Sequence, residues 1–61
     1  MKVSEMIKIL KHNDCFCLRE GDNHEIWYSR KTKKQFPVPR HKSKEQPLGT
    51  VKSILKAAGI E

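Results

Sequence analysis

The sequence predicts an α+β domain with the element order α-β-β-β-α, built from two amphipathic helices and a three-stranded antiparallel sheet. Apolar residues recur at helical spacing near both ends of the 61-residue chain. The middle of the chain instead alternates between apolar and polar residues, as half-buried strands do. Residues that favour turns separate the alternating runs. A chain of this length has room for one small core, so residues 1–61 are expected to form a single domain.

The first helix is predicted over residues 5–13. Ser4 precedes it and is a favourable N-cap residue, and Asn13 begins a typical helix stop. Four apolar residues follow the i, i+3, i+4, i+7 spacing of one helix face: Val3, Met6, Ile7 and Leu10.

Three runs rich in strand-forming residues predict strands: residues 15–19, 24–29 and 35–39. In the first run Phe16 and Leu18 share one face, and Cys15 and Cys17 share the other. No further cysteine and no spaced histidine pair completes a zinc site. Both thiols are therefore expected to be reduced and semi-buried, and no metal site or cofactor is predicted.

Two turns connect these strands. Residues 20–23 form the first, where Gly21 is free to take a positive φ, and residues 30–34 form a basic hairpin loop. Alternation sends Trp27 and Tyr28 to opposite faces of the sheet. One of them is expected in the core, and the other on an open face where it would stack a base or hold a protein partner.

The last strand and the helices define the expected layers. Pro37 and Pro39 lack a backbone N–H, which places their strand at an edge of the sheet or points those positions outward. Two amphipathic helices must bury their apolar stripes on something, and one face of the sheet is the only candidate in this chain. Both helices are therefore expected on one face, as in a double-stranded-RNA-binding domain.

A polar connector over residues 40–47 leads to the second helix, predicted from Leu48 to Ala58. Thr50 can cap its start, and Gly59 fits the left-handed position after its end. Its apolar stripe is expected to comprise Leu48, Val51, Ile54, Leu55 and Ala58.

Positive charge is concentrated in the second half of the chain. Residues 1–29 carry four basic and five acidic side chains, whereas residues 30–61 carry nine basic and two acidic ones. Residues 30–44 hold seven of these cations and no acid. Such one-sided charge favours a polyanion, and nucleic acid is the expected partner, because cations that bracket a strand should cluster in space. A basic surface that serves only solubility is the alternative.

Nine residues are predicted to contact RNA: Arg30, Lys31, Lys33, Lys34, Arg40, His41, Lys42, Thr50 and Lys52. Thr50 is included because the free N–H groups at a helix start bind phosphate, and Lys52 lies within reach of that end. These contacts should tolerate different sequences and weaken with salt. For His41, catalysis, contact with RNA or a partner, and a solvated position all remain open.

The chain lacks the residue patterns that most classes of enzyme use for catalysis. There is no nucleophile elbow, no suitably spaced pair of carboxylates, no Gly-rich phosphate loop and no cluster of metal ligands. A histidine with nearby cations remains, because an imidazole can take a proton from an RNA 2′-hydroxyl or give one to the departing 5′-oxygen. Lys and Arg can stabilise the charge of the transition state. From the residues alone, simple nucleic-acid binding is favoured over cleavage, and His24 at its strand start is more often structural than catalytic.

The hydropathy pattern predicts no membrane span, because no run of about 18 apolar residues occurs. The charged, amphipathic N-terminus lacks the apolar core of a signal peptide. A cytoplasmic location is therefore expected.

Four segments of the chain resemble the HicA toxin family of bacterial toxin–antitoxin systems: SEMIKIL, REGDNHEIWY, FPVPRH and PLGTVKSILKAAGI. They cover essentially the whole chain in the family's order. The resemblance implies a fold like that of double-stranded-RNA-binding domains, metal-independent endoribonuclease activity on mRNA, and growth arrest when the toxin is unopposed. It also implies a HicB-type antitoxin that binds the toxin and masks its site.

The resemblance places the catalytic histidine at His24, and it maps the family's Val-Pro-His segment onto residues 38–41. This chain departs from many members in having Asp22 and Asn23 between Gly21 and His24. Two alternatives remain. One is a non-catalytic RNA-binding module of the same fold, and the other is a small interaction protein that holds an acidic partner on its basic face.

Overall fold

A computed structural model describes residues 1–60 and confirms the predicted α+β fold. The elements follow one another as α1 (Val3–His12), β1 (Cys15–Glu20), β2 (His24–Ser29), β3 (Lys34–Pro39) and α2 (Leu48–Ala57). The strands form one antiparallel sheet in the order β1-β2-β3, so the proline-bearing β3 lies at an edge as predicted. Within residues 1–60, neither helix is long and apolar enough to cross a membrane.

The register of the sheet determines which strand residues face the helices. Trp27 lies opposite Phe36, and Cys15 lies opposite Ser29. All four side chains are buried, which identifies their side of the sheet as the inner face. The core joins this face to the apolar stripes of both helices, which include Val3, Met6, Leu10, Val51, Ile54 and Leu55. The prediction that both helices cover one face is therefore confirmed, with Trp27 as the aromatic residue in the core.

The first helix begins earlier than predicted, because the connector between β3 and α2 supplies its cap. The N–H of Val3 donates to the carbonyl oxygen of Lys44 at 3.1 Å, and the N–H of Ser4 donates to that of Lys42 at 2.9 Å. The N-cap residue is Lys2, so the predicted capping role of Ser4 is wrong. Backbone carbonyls from a distant segment satisfy the first amides of α1.

The second helix also differs at its start. Its N-cap is Pro47, and Leu48 is the first helical residue, so Thr50 lies inside the first turn and the prediction that it caps the helix is wrong. Leu48 is 69% exposed and does not belong to the buried stripe, which begins at Val51. Gly59 has a φ of 79°, and it takes the predicted left-handed position.

The β1 strand carries an irregularity that the alternation did not predict. Its register with β2 shifts between Cys17 and Arg19, which leaves Leu18 as an extra residue. Phe16 and Leu18 are exposed on the face opposite the helices. The two thiols share the inner face, but Cys15 is buried and Cys17 is exposed, so the expectation that both are semi-buried is wrong.

Candidate nucleic-acid interface

The turn before β2 presents His24 through a close backbone approach. The N–H of Gly21 donates to the carbonyl oxygen of His24 at 2.7 Å. A Cβ atom on Gly21 would stand only 2.8 Å from that oxygen, so a side chain at this position would push the turn apart. Gly21 does not take the positive φ that the sequence allowed. Glycine is required here because a Cβ atom would not fit beside the carbonyl oxygen of His24.

Arg40 holds the same turn from the end of β3. Its Nη1 atom donates to the carbonyl oxygens of Gly21 and Asp22, at 2.9 and 3.3 Å. Pro39, the residue before it, lies directly opposite His24 in the β2–β3 ladder. The guanidinium therefore braces the backbone that leads into His24 and places a positive charge at the same end of the sheet.

The side chain of His24 is exposed and lines an open groove of about 400 Å³ between β3 and α2. Pro37 and Pro39 border it on the strand side, and Gly49, Thr50 and Ser53 border it on the helix side. The fold thus brings together two predicted site residues, His24 and Thr50, that are 26 positions apart in the chain. Ser53 was not predicted, although its spacing of three residues from Thr50 places it on the same helix face.

The start of α2 offers free hydrogen-bond donors to this groove. The first three helical residues, 48–50, find no acceptor for their N–H groups within residues 1–60, and Pro47 has no side chain that could supply one. In α1 the first two of the corresponding groups bind the connector's carbonyls, and the third binds that of Lys2. Free N–H groups and the helix dipole together favour an anion such as phosphate. A Cβ atom on Gly49 would meet nothing within 4 Å, so the approach to this end is open.

The predicted basic residues form two groups rather than one. The six-residue strand β3 separates two sets of cations by about 17 Å. The loop group is Arg30, Lys31, Lys33 and Lys34, the last of which begins the strand, and the second group is Arg40, Lys42 and Lys44. The expectation that cations bracketing a strand cluster in space is therefore wrong, because a strand holds its two flanks apart. The second group shares its end of the sheet with His24 and with the start of α2.

The other residues predicted to contact RNA differ in whether their side chains are already bound within the protein. Lys31 donates from Nζ to Oδ1 of Asn13 at 3.1 Å, which ties it to the corner between α1 and β1. His41 and Lys52 are both exposed. His41 lies in the connector, where its carbonyl oxygen accepts from the N–H of Lys44 at 3.1 Å, so its backbone is held although its side chain is exposed.

The surroundings of Cys17 disfavour its thiolate. Partial desolvation raises the pKa of the Cys17 thiol, and the carboxylates of Glu25 and Glu20 raise it further. A thiol is a poor nucleophile compared with a thiolate. Within residues 1–60 no group of three or more His, Cys, Asp or Glu side chains is placed to hold a metal ion.

Comparison with known proteins gives one match. A model of the family described as the HicA toxin of bacterial toxin–antitoxin systems matches residues 3–60 of the chain. No curated protein and no solved structure matches it. The matched range includes all five elements and every residue of the groove.

Proposed function

Since this chain belongs to the HicA toxin family of bacterial toxin–antitoxin systems, we propose that it is an endoribonuclease that cleaves mRNA. In this proposal His24 is the proton-transfer residue and no metal ion takes part. A HicB-type antitoxin neutralises the toxin in the cytoplasm by covering the groove. The observation that carries the proposal is the shared groove of His24 and the free N–H groups at the start of α2.

The proposed reaction uses the nucleophile that RNA itself carries. The 2′-hydroxyl oxygen attacks the adjacent phosphorus and loses its proton, while the bond from phosphorus to the 5′-oxygen breaks and that oxygen gains a proton. His24 makes one of these two transfers, and solvent makes the other. Because the RNA supplies the nucleophile, the protein needs no catalytic nucleophile of its own, and a small domain can carry out the reaction.

Charge stabilisation comes from the groups around the imidazole. Negative charge builds on the phosphorane-like transition state, and donors that are already oriented stabilise it without reorganisation. The N–H groups of residues 48–50 and the guanidinium of Arg40 are such donors at the His24 end of the sheet. The loop cations at the other end are too distant for this role and instead hold the RNA backbone.

The antitoxin in this proposal acts by exclusion. His24 and the start of α2 are both exposed, so no part of residues 1–60 closes the groove of the free toxin. A partner that covers the groove with acidic groups would occupy the phosphate-binding donors and keep RNA away from the imidazole. A HicB-type protein encoded beside this chain is the expected source.

The deciding experiment compares wild-type protein with His24→Ala and with the control His12→Ala. His12 ends α1 and has no place in the groove, so its replacement should leave activity unchanged. His24→Ala should abolish both growth arrest and RNA cleavage while retaining the circular dichroism spectrum of the wild type. Cleavage by the wild type should persist in EDTA and stop when the RNA 2′-hydroxyls are replaced by hydrogen.

Full toxicity of a folded His24→Ala protein would refute the assignment. RNA binding by the wild type without any cleavage would favour the non-catalytic RNA-binding module. Binding of acidic protein in the absence of RNA affinity would favour the interaction protein.

A further inference from the structure

We infer that the face of the sheet opposite the helices binds single-stranded RNA by base stacking and leads that strand to His24. This outer face consists of Phe16, Leu18, Arg19, His24, Ile26, Tyr28 and Arg30. The inference rests on the proposed ribonuclease function and adds to it the form of RNA that the site accepts.

An aromatic pair forms the centre of the outer face. The rings of Phe16 and Tyr28 lie opposite each other in the β1–β2 ladder, with centroids 5.5 Å apart and planes inclined by 53°. Phe16 is 37% exposed and the neighbouring Leu18 is 45% exposed. Large apolar side chains that are exposed together in so small a protein indicate a surface that binds a partner molecule.

A cation extends this aromatic surface. The guanidinium carbon of Arg30 lies 5.4 Å from the centroid of the Phe16 ring. Guanidinium planes and aromatic rings both stack nucleobases. The group therefore offers adjacent stacking surfaces together with a positive charge for the backbone phosphate.

The two acids of β1 and β2 lie at the turn end of the ladder, away from the aromatic pair. Glu20 and Glu25 are paired in the β1–β2 ladder at positions that alternate with those of the outer face. Glu25 points inward, since it accepts a hydrogen bond of 3.0 Å from Nε1 of the core residue Trp27. Glu25 therefore lies off the outer face, whereas the exposed Glu20 borders the turn end of this face beside Arg19 and His24.

The outer face is continuous with the proposed catalytic site. His24, Ile26 and Tyr28 occupy alternate positions of β2 and so project from the same side of the sheet. His24 and Ile26 also border, with Arg19, a second groove around the β1–β2 turn, whose lining includes the acids Glu20 and Asp22 at its turn end. The path along β2 from Tyr28 to His24 measures about 13 Å, so a strand stacked on the aromatic pair can present a phosphate to the imidazole.

Stacking on this face selects single-stranded RNA. The bases of a duplex are stacked on one another and hide their faces, whereas unpaired bases can turn outward onto aromatic rings. A duplex would therefore gain only backbone contacts from this surface. The same reasoning predicts that single-stranded DNA binds here but is not cleaved, because stacking needs no 2′-hydroxyl.

The test measures binding of a fluorescein-labelled single-stranded RNA of mixed sequence, and of its blunt duplex, by fluorescence anisotropy. The His24→Ala background prevents cleavage during the measurement. Phe16→Ala and Phe16→Leu should each weaken single-strand binding at least about fivefold and leave duplex binding unchanged. Phe16→Tyr and Tyr28→Phe keep their rings and should bind as the parent does, and they also serve as controls for folding.

Any of three results would overturn the inference. If Phe16→Leu binds single strands as tightly as the parent, the ring does not stack bases. If the Phe16 variants keep RNA affinity but are no longer captured by the co-expressed antitoxin, the face belongs to that protein instead. A Phe16→Leu protein that cleaves RNA as the wild type does refutes this inference alone, whereas absence of RNA binding and cleavage in the wild type refutes the proposed function as well.

Discussion

The guanidinium of Arg40 donates a hydrogen bond of 2.9 Å to the carbonyl oxygen of Gly21, which joins the end of β3 to the turn that leads into His24. Gly21 is itself bonded to the backbone of His24 at 2.7 Å. The catalytic candidate is thus placed by two backbone contacts rather than by the packing of its own exposed side chain. A residue that contributes one of these contacts should affect turnover more than RNA affinity.

Arg40→Lys should lower the single-turnover rate of RNA cleavage about tenfold or more, because small displacements of a reacting group are costly. Lysine keeps the charge but lacks the planar guanidinium whose Nη1 atom donates to both carbonyl oxygens. The affinity for RNA, measured separately in the His24→Ala background, should change little. Lys42→Ala is the matched control and should weaken affinity while leaving the rate at saturating RNA unaltered. Equal rates for Arg40→Lys and wild type would contradict the bracing role.

Leu48→Pro tests the free N–H groups of α2. Leu48 is the first helical residue, where proline is well tolerated, and Pro47 already has the ψ of 149° that a following proline requires. The substitution removes one phosphate donor and should lower the cleavage rate about tenfold. Leu48→Ala removes the same exposed side chain, keeps the donor and should retain activity. If both variants behave alike in cleavage while remaining folded, phosphate does not use this end of the helix.

The two groups of cations should contribute separately to the salt dependence of RNA binding. One variant combines Lys33→Asn with Lys34→Gln, since Lys33 has a φ of 57° that asparagine tolerates. The other combines Lys42→Gln with Lys44→Gln. Each pair should reduce the slope of log affinity against log salt by about 1.4, because each phosphate that a lysine neutralises contributes about 0.7 on a single strand. An unchanged slope for the loop pair would show that RNA does not extend to that end of the sheet.

Ser29→Ala should destabilise the fold without touching the site. The Ser29 hydroxyl is fully buried and donates to the carbonyl oxygen of Ala58 at 2.8 Å, which joins the end of β2 to the end of α2. Removing this bond leaves a buried acceptor unsatisfied and should cost about 1–3 kcal/mol. The melting temperature should fall by about 4–8 °C for each kcal/mol. Ser43→Ala, at an exposed position, should have no measurable effect on thermal unfolding.

The two thiols should react differently with iodoacetamide. Cys15 is buried and Cys17 is exposed, so native protein should be labelled at Cys17 alone, as peptide mass spectrometry can establish. Partial desolvation and two neighbouring carboxylates raise the pKa of Cys17, which lowers its thiolate fraction at mildly alkaline pH, and labelling should be slower than for free cysteine. Glu20→Gln removes one of the charges and should accelerate labelling. A slower reaction in that variant would contradict this account.

Local patterns in the sequence determined the order and type of the elements. Helical and strand periodicities depend on neighbouring residues alone, and they predicted α1, the three strands and α2 in their observed order. The missing N–H groups of Pro37 and Pro39 placed β3 at an edge, and Gly59 marked the end of α2. His24 was selected as the site residue by the family-like context around it, since its own strand position favoured a structural role.

The surfaces that these elements present depend on how they pack against one another. Alternation separates Trp27 from Tyr28, but a period of two does not say which face the helices cover, and so the open aromatic face around Phe16 emerged only with packing. Ser4 does not mark the start of α1, because the first N–H groups of the helix bind the carbonyls of residues 42 and 44, far along the chain. The groove of His24 and Thr50 also depends on long-range contacts that local sequence does not encode.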